Sequence, residues 1–294
     1  MHIPVLQKEV LQYLNPKPNE NFIDCTIGEG GHTLAILERT SPEGKVLGID
    51  FNPEILKCLK PEVKHLLSEK RLILICGNFA NLNRIVEKNN FKPVHGILFD
   101  LGMSSWHLEK SGRGFSFLRN EPLDMRYSTK LKILTAEEII NKWSAKEIEQ
   151  ILKEYGEERF AGRITKRIIE ERKITPIRTT FQLVEIIRKA VPRGYEKGRI
   201  HLATRTFQAL RIAVNQELDN LKKVLPQVLE VLAPGGKIVI ISFHSLEDRI
   251  VKNFFRGNRS CFKTLTKKPI RPTETEIKLN PRSRSAKLRA AIRI

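Results

Sequence analysis

Short apolar runs alternate with amphipathic segments along the first hundred residues of the chain. The runs are rich in Ile, Val and Leu, and the segments between them have apolar residues at helical spacing. The runs are NFIDCTI, KVLGID, RLILICGNF and VHGILFDLG, and the helical segments include HTLAILERT and PEILKCLKPEVKHLL. Buried strands that alternate with helices are typical of a parallel sheet covered by helices on both faces. The pattern therefore predicts an α/β, doubly wound fold.

This alternation stops after Asp100. The next strand signal, GKIVIISFHS, begins only at Gly236, much further on than an ordinary crossover requires. The interval contains helical segments with capping-box patterns at Thr135 and Ser144, and another that Pro192 stops. We therefore predict a helical insertion domain over residues 112–199, within a discontinuous α/β domain formed by residues 1–111 and 200–294.

Two segments near the end of the chain complete this organisation. The sequence ATRTFQALRIAVNQELDNLKKVLPQVLEVL predicts one long helix that leads into the fifth strand. The segment KKPIRPTETEIKLNPRSRSAK is poor in apolar residues, which predicts that it lies along the surface.

Charge is distributed unevenly along the 294 residues, whose net charge is +19. Residues 159–211 hold 14 basic and 4 acidic side chains, and residues 249–294 hold 14 basic and 2 acidic ones. These two segments carry more than the whole excess, so the remainder of the chain is close to neutral. A single basic run is most simply a solvated helix face, but two basic segments on a near-neutral body favour a nucleic-acid partner.

Cysteine usage and hydropathy restrict the location and the chemistry. The four cysteines lie far apart without CxxC or Cys/His spacing, so no metal site or disulfide framework is predicted. No apolar run approaches the roughly 18 residues of a membrane span, and MHIPVLQKEV does not have the regions of a signal peptide. We expect a reduced, cytoplasmic protein without a membrane partner.

A glycine-rich turn follows the first predicted strand. Gly28, Gly30 and Gly31 would let a ligand approach the backbone, and Asp50, at the end of the second strand, is placed where a carboxylate binds a ribose. Thr33 occupies the third glycine position of the dinucleotide fingerprint, so the match to NAD is incomplete. S-adenosylmethionine has a ribose but no pyrophosphate, which makes methyl transfer the sharper hypothesis and NAD-dependent oxidoreduction the alternative.

Longer motifs resemble one family over nearly the whole chain. The chain is similar to the RsmH (MraW) family of 16S ribosomal RNA (cytosine-N(4))-methyltransferases. The motifs that carry the resemblance are HIPVLQKEV, DCTIGEGGHT, GIDFNPE, GNFANL, ILFDLGMSS, GRGFSF, PLDMR, HLATRTFQALRIAVNQEL, APGGKIVIISFHSLEDRIVK and PIRPTETEIKLNPRSRSAKLRA. The resemblance implies a Rossmann-like, class I methyltransferase fold and S-adenosylmethionine as the cofactor.

The resemblance also implies a set of cofactor contacts. The glycine turn would meet the methionine part of the cofactor, Asp50 its ribose and Phe79 its adenine. The family usually has glutamine where this chain has His107, which leaves the geometry of that contact open. The expected cofactor-binding residues are Gly28, Gly30, Gly31, His32, Asp50, Phe79, Asp100 and His107.

The catalytic group is predicted beside the transfer site. Asp100 ends a strand at the edge where doubly wound folds bind ligands, so we expect it, or a neighbour, to accept a hydrogen bond from the amine. The Pro-Pro motif of many amino methyltransferases is absent after Asp100. Ser242 and His244, after the fifth strand, are weaker candidates, because that segment also reads as a polar helix start.

The resemblance implies that the partner is 16S rRNA, in the decoding region of the small ribosomal subunit or its precursor. The insertion domain and the basic tail would hold the RNA backbone, and the target cytidine would be turned into the pocket. A DNA amino methyltransferase and a non-catalytic RNA-binding assembly factor are the alternatives. Oligomeric state is not encoded in these patterns, and a homodimer stays among the possibilities.

Overall fold

The computed structural model describes residues 4–129, 133–195 and 200–294. The chain divides into two compact units, Met1–Gly102 with Leu218–Ile294 and Met103–Glu217. We call the first the sheet unit and the second the helical unit. The helical unit begins earlier and ends later along the chain than the predicted insertion of residues 112–199. The predicted boundary at residue 199 lies outside the described residues.

Strands and helices follow one another as the hydrophobic pattern predicts. The strands are β1 (Phe22–Asp24), β2 (Val46–Asp50), β3 (Leu72–Cys76), β4 (Val94–Asp100), β5 (Leu232–Ser242), β6 (Phe262–Thr264) and β7 (Lys287–Arg293). The helices are α1 (Gln7–Leu14), α2 (Gly31–Arg39), α3 (Pro53–Glu62), α4 (Lys64–Ser68), α5 (Leu82–Lys88), α6 (Ser105–Glu109), α7 (Ala136–Lys142), α8 (Ala145–Glu154), α9 (Ala161–Ile174), α10 (Thr180–Ala190), α11 (Thr204–Asn215), α12 (Glu217–Val231), α13 (Ser245–Gly257) and α14 (Glu274–Leu279).

The sheet unit is built on one seven-stranded sheet in the order β3-β2-β1-β4-β5-β7-β6. Strands β1 to β5 are parallel, and β7 pairs antiparallel with both β5 and β6. Apolar side chains from both faces form two cores, one around Ile23, Phe99 and Ile240 and the other around Phe22, Leu98 and Val239. The predicted α/β fold is confirmed, and the order of the strands reverses between β1 and β4.

The chain ends in a buried strand, which follows the segment predicted to lie along the surface. Leu288, Ala290 and Ala291 of β7 are buried, because this strand completes the sheet beside β5. Glu276 of α14 accepts a hydrogen bond from the Leu6 amide at 2.7 Å, which fixes the amino-terminal segment. Most side chains of residues 267–287 are nevertheless exposed, as predicted for that segment, and the buried strand begins only at its last residue, Lys287.

The helical unit has a core of its own, which includes Ile148, Ile164, Leu183 and Leu210. Helices α7 and α8 begin with the predicted capping boxes, in which Thr135 and Ser144 accept from the amides of Glu138 and Glu147. The prediction of one long helix before β5 is wrong. The helix breaks at Gln216, which has a left-handed φ of 51°.

Contacts within the helical unit explain this break. The Asn215 side chain accepts a hydrogen bond from the Tyr127 amide at 2.8 Å and donates one to the Met125 carbonyl at 2.8 Å. Arg211 forms a salt bridge with Glu217 at 2.8 Å. These long-range bonds hold the turn in place, and no local helical periodicity could have indicated them.

Candidate functional site

Three neighbouring strands of the sheet unit end on an aspartate. β1 ends at Asp24, β2 at Asp50 and β4 at Asp100, and β1 lies between the other two. Parallel strands direct their carboxyl ends to the same edge, and ligands of open α/β sheets bind there at the point where strand order reverses. The structure therefore brings Asp50 and Asp100 to one edge, as predicted, and adds Asp24, which sequence reasoning missed.

The glycine turn is joined directly to this edge. The Gly28 amide donates a hydrogen bond to Asp50 Oδ2 at 3.0 Å, and the other oxygen of Asp50 accepts from the Asn52 amide at 2.8 Å. Gly28 and Gly30 have left-handed φ values of 52° and 83°, which disfavour any residue with a Cβ. A Cβ on Gly31 would lie 2.4 Å from Pro4 Cγ, so close packing also requires glycine there.

Thr33 explains why the dinucleotide fingerprint is incomplete. Its hydroxyl donates a hydrogen bond to Asp24 Oδ2 at 2.7 Å, and both side chains are buried. The second oxygen of Asp24 accepts from the Thr26 amide at 3.1 Å, while the Thr26 hydroxyl accepts from the Asp100 amide at 2.6 Å. A third glycine would leave Asp24 without its hydroxyl donor, so this position serves a buried carboxylate rather than a pyrophosphate.

The electrostatics of the edge favour a cationic ligand. Burial raises the pKa of Asp50 to about 6 against the opposing hydrogen bonds from the Asn52 and Gly28 amides, and the charge of Asp24 raises it further. Burial also raises the pKa of Asp24. The hydrogen bond from Thr33 and the charge of His32 oppose this rise, and the charge of Asp100 adds to it. A positively charged ligand would relieve this crowding of carboxylates, whereas an anionic pyrophosphate would add to it.

His32 lies beside Asp100, with its Nε2 atom 3.7 Å from Asp100 Oδ2. Within the described ranges, neither ring nitrogen of the buried His32 has a hydrogen-bond partner, and neither does Asp100 Oδ1. Buried polar atoms normally have partners, so unpaired ones at the ligand-binding edge of the sheet are candidates for contact with a polar ligand. These atoms, the left-handed turn and the buried carboxylates fit the methionine and ribose parts of S-adenosylmethionine.

Phe79 lies just beyond β3, in a short 3-10 turn. The Asn78 side chain caps this turn by accepting from the Ala80 amide at 2.8 Å. The half-buried Phe79 ring meets the Phe99 ring edge to face, with the centroids 5.7 Å apart. One ring thus borders the core and remains partly exposed, as an adenine contact requires, and that role for Phe79 stays a prediction.

Ser242 ends β5, the strand next to β4, and His244 follows it two residues later. The two residues lie in different environments. Ser242 is buried at the end of β5, one residue after Ile241, which pairs with Asp100. His244 is the N-cap of α13, and Glu247 Oε1 lies 3.3 Å from its Nε2 atom. A helix therefore does begin here, as the polar segment also indicated, and His244 is its N-cap. A catalytic role for either residue stays a prediction.

His107 belongs to the helical unit, where it is surrounded by aromatic rings. Its centroid lies 5.0 Å from that of Phe115 and 4.8 Å from that of Tyr127, and its Nδ1 atom lies 3.0 Å from the Ser104 hydroxyl. Burial and the charge of Arg113 lower the pKa of His107 to about 3. The imidazole is therefore neutral at physiological pH, and its cofactor contact stays a prediction.

Comparison with known proteins decides the family. The profile of the MraW methylase family matches residues 1–294. The chain belongs to the MraW methylase family. As a member it is a methyltransferase, and S-adenosylmethionine is the cofactor, so the predictions of family, enzyme class and cofactor are confirmed.

Curated relatives match over almost their entire length. Ribosomal RNA small subunit methyltransferase H of Halothermothrix orenii is 47% identical over 100% of this chain and 98% of its own. The enzymes of the same name from Syntrophotalea carbinolica and Thermotoga neapolitana are each 46% identical, over 100% and 99% of this chain and 98% and 95% of theirs.

In the part of the chain that the structure describes, no helix is both long and apolar enough to cross a membrane.

If Asp50 binds the ribose of the cofactor, as the resemblance implies, its raised pKa predicts a pH-dependent affinity. The ionised carboxylate accepts hydrogen bonds from ribose hydroxyls more strongly than the protonated form. We expect affinity for S-adenosylmethionine to be constant above pH 7 and to fall as the pH drops through about 6. Calorimetric titrations between pH 5 and pH 8 measure this fall, and the D50N variant should show weak affinity without it. A wild-type profile that is flat across pH 6 would contradict the assignment.

The lowered pKa of His107 predicts a pH-dependent stability. The unfolded chain takes up a proton near the ordinary value of 6.5, whereas the folded protein does so only near pH 3. The free energy of unfolding therefore decreases as the pH falls below 6.5, by at most about 1.4 kcal/mol per pH unit. Denaturant unfolding of wild type and H107Q at pH 7 and pH 5 should show a smaller decrease for the variant. Equal decreases would show that His107 is not buried and neutral.

Proposed function

We propose that this protein transfers the methyl group of S-adenosylmethionine to the exocyclic N4 of a cytidine in the decoding region of 16S rRNA. The curated relatives support the substrate class, since their printed name is ribosomal RNA small subunit methyltransferase H. The observation that carries the proposal is the carboxylate edge formed by Asp24, Asp50 and Asp100 around a glycine turn.

The sheet unit supplies the groups that would hold the cofactor. Gly28, Gly30 and Gly31 let the methionine part approach the turn, and His32 offers two ring nitrogens to its polar groups. Asp50 would accept hydrogen bonds from the ribose hydroxyls. When bound, S-adenosylmethionine supplies an electrophilic methyl group on a positively charged sulfur.

Asp100 has the position and the free acceptor that transfer to an amine requires. The N4 amine of cytosine is conjugated with the ring and is therefore a weak nucleophile. Asp100 Oδ1 would accept a hydrogen bond from this amine and orient the nitrogen lone pair for attack. About a fifth of the Asp100 side chain is exposed although Oδ1 itself is buried, so a base turned out of its strand would approach the carboxylate from its exposed part.

The charge distribution supports an RNA substrate. Residues 159–211 and 249–294 carry the basic excess, although some of these charges are paired within the protein. Arg289, for example, is buried and bound to Asp248 at 2.6 Å, so it stabilises the sheet unit rather than binding RNA. The charges that remain exposed would neutralise phosphates on either side of the target.

Three alternatives are less well supported. An NAD-dependent oxidoreductase would place a pyrophosphate among the carboxylates and would require glycine in place of Thr33. A DNA amino methyltransferase would share the cofactor site, but the relatives are named as ribosomal RNA enzymes. A non-catalytic assembly factor would leave the cluster of buried carboxylates without a purpose.

The cellular setting follows from the proposed substrate. We place the reaction in the cytoplasm, on the small ribosomal subunit or its precursor, because that is where an accessible decoding region exists. A homodimer also stays a proposal, and light scattering of the purified protein measures it.

The proposed function is tested by mass spectrometry of 16S rRNA from cells with and without this protein. The proposal expects one cytidine to be methylated at N4 only when the protein is present. An identical set of cytidine modifications in both cells would overturn it.

A further inference from the structure

The helical unit carries a group of exposed basic side chains at the start of α9. Arg159 and Arg163 both lie over the ring of Phe160, with their guanidinium carbons 5.7 and 5.6 Å from its centroid. Lys166 follows Arg163 by three residues on the same side of the helix. All three basic side chains are exposed, and Phe160 is half-buried. We call these four residues the Phe160 cluster.

Several basic residues nearby are paired with acidic side chains, whereas the three of the cluster are not. Arg167 binds Glu171 at 2.8 Å, Arg188 binds Glu185, and Lys189 lies 3.9 Å from Glu171. In residues 4–129, 133–195 and 200–294, no carboxylate lies within salt-bridge distance of Arg159, Arg163 or Lys166. The charges of Arg167, Arg188 and Lys189 are thus partly neutralised by Glu171 and Glu185, whereas those of the Phe160 cluster remain available to a ligand.

The Phe160 ring is held in place by contacts within the helical unit. The Tyr195 ring meets that of Phe160 edge to face, with the centroids 5.0 Å apart. Tyr195 donates its hydroxyl to the buried Glu158 carboxylate, whose Oε1 atom also accepts from the Phe160 amide at 2.8 Å. Glu158 is therefore occupied in holding the aromatic pair. The two guanidinium groups thus lie within cation–π distance of a ring that is itself held in place, and we expect this to lower the entropy cost of binding through them.

An arginine that rests on an aromatic ring keeps its outer face and its N–H edges available. The planar face stacks on a nucleobase, and the N–H groups bind phosphate in pairs. In duplex RNA the bases are stacked within the helix, so only an unpaired nucleotide can use both features. Lys166 adds a point charge for the next phosphate. The chemistry of the cluster therefore matches a single strand better than a duplex.

We propose that the Phe160 cluster is a binding site for an unpaired nucleotide of the RNA substrate, with a base stacked on a guanidinium face and flanking phosphates on Arg159, Arg163 and Lys166. This rests on the proposed function for the identity of the RNA. It assigns to these residues affinity for the substrate and no part in the transfer of the methyl group.

The experiment compares full-length wild type with the R159A/R163A variant in methylation of the small-subunit RNA. We expect KM for RNA to rise about tenfold and kcat to stay unchanged. The slope of log affinity against log salt should decrease by about 1.4, because each lost phosphate contact on a single strand contributes about 0.7. R188A is the matched control, since Arg188 is exposed in the same unit but paired with Glu185. It should behave as wild type.

A second variant separates stacking from charge. R159K/R163K keeps both charges but not the planar groups, so its salt slope should equal that of wild type. It should lose the preference for a short single-stranded RNA over a duplex of the same sequence. A double alanine variant with wild-type KM and salt slope would overturn the proposal, and so would an undiminished strand preference in the lysine variant. Absence of methylation by wild type would instead overturn the proposed function, and direct RNA binding would still test the cluster.

Discussion

Replacing Asp100 with asparagine is expected to lower kcat for methyl transfer by roughly 10²- to 10⁴-fold, the usual contribution of a positioned proton acceptor. Asparagine keeps the size of the side chain and the hydrogen bond from the backbone amide of residue 100 to the Thr26 hydroxyl. It removes the negative charge beside His32, which would also lie beside the amine of the cytosine. Single-turnover transfer at saturating cofactor and RNA measures the effect on chemistry separately from binding.

The matched control for this change is D219N. Asp219 is half exposed and pairs only loosely with Lys222, at 3.4 Å, so its neutralisation should leave kcat unchanged. D100N should also retain its RNA affinity and its melting temperature. If D100N transferred methyl groups at the wild-type rate, Asp100 would have no part in the mechanism, and Ser242 and His244 would become the next residues to test.

Replacing Gly30 with alanine is expected to weaken cofactor affinity by roughly 10- to 100-fold, as follows from a loss of about 1.4–2.7 kcal/mol. Gly30 has a φ of 83°, and a Cβ there would lie 2.9 Å from Leu59 Cδ1. Rotation of the Leu59 side chain could relieve that contact, but alanine disfavours the left-handed φ. We therefore expect the turn to shift and to displace the Gly28 amide from Asp50. Calorimetric titration with S-adenosylmethionine measures the loss.

Gly235 provides a control with the same backbone strain. Its φ is 75°, and a Cβ there would have no neighbouring atom within 4 Å. G235A should lose about 1 kcal/mol of stability without any change in cofactor affinity. Equal affinity losses in G30A and G235A would mean that the glycine turn has no special role in binding.

Much of the sheet unit could be predicted because its signals are local. Parallel strands that are buried on both faces give continuous apolar runs, and the runs ending at Asp50 and Asp100 lie where the structure has β2 and β4. The turn at Gly28 and Gly30 could also be predicted from the sequence, since few residues other than glycine adopt the left-handed conformation that it has in the structure.

Asp24 was missed, although a signal for it was present. Three of the predicted apolar runs contain an apolar residue followed by aspartate, as ID, ID and FD, and comparison of these positions would have pointed to all three carboxylates. Thr33 was noticed only as a missing glycine. Its role as the hydroxyl donor to Asp24 depends on how α2 packs against the end of β1, which no single segment of sequence encodes.

Other features depend on contacts between distant residues. The break at Gln216 depends on bonds from Asn215 to a loop about 90 residues earlier in the chain. The neutral state of His107 results from the rings and arginines that surround it. Sequence motifs could nominate this residue but could not describe its environment, because burial is a property of the folded unit.

The most direct test of the central claim is transfer of a labelled methyl group in a purified system. Wild-type protein, labelled S-adenosylmethionine and either small-subunit rRNA or DNA are incubated, and the nucleosides are then separated and identified. The account predicts labelled N4-methylcytidine from the rRNA, none from the DNA, and an initial rate of labelling of the rRNA that falls at least about a hundredfold with D100N. Label in DNA alone, or in a different nucleoside of the rRNA, would contradict it.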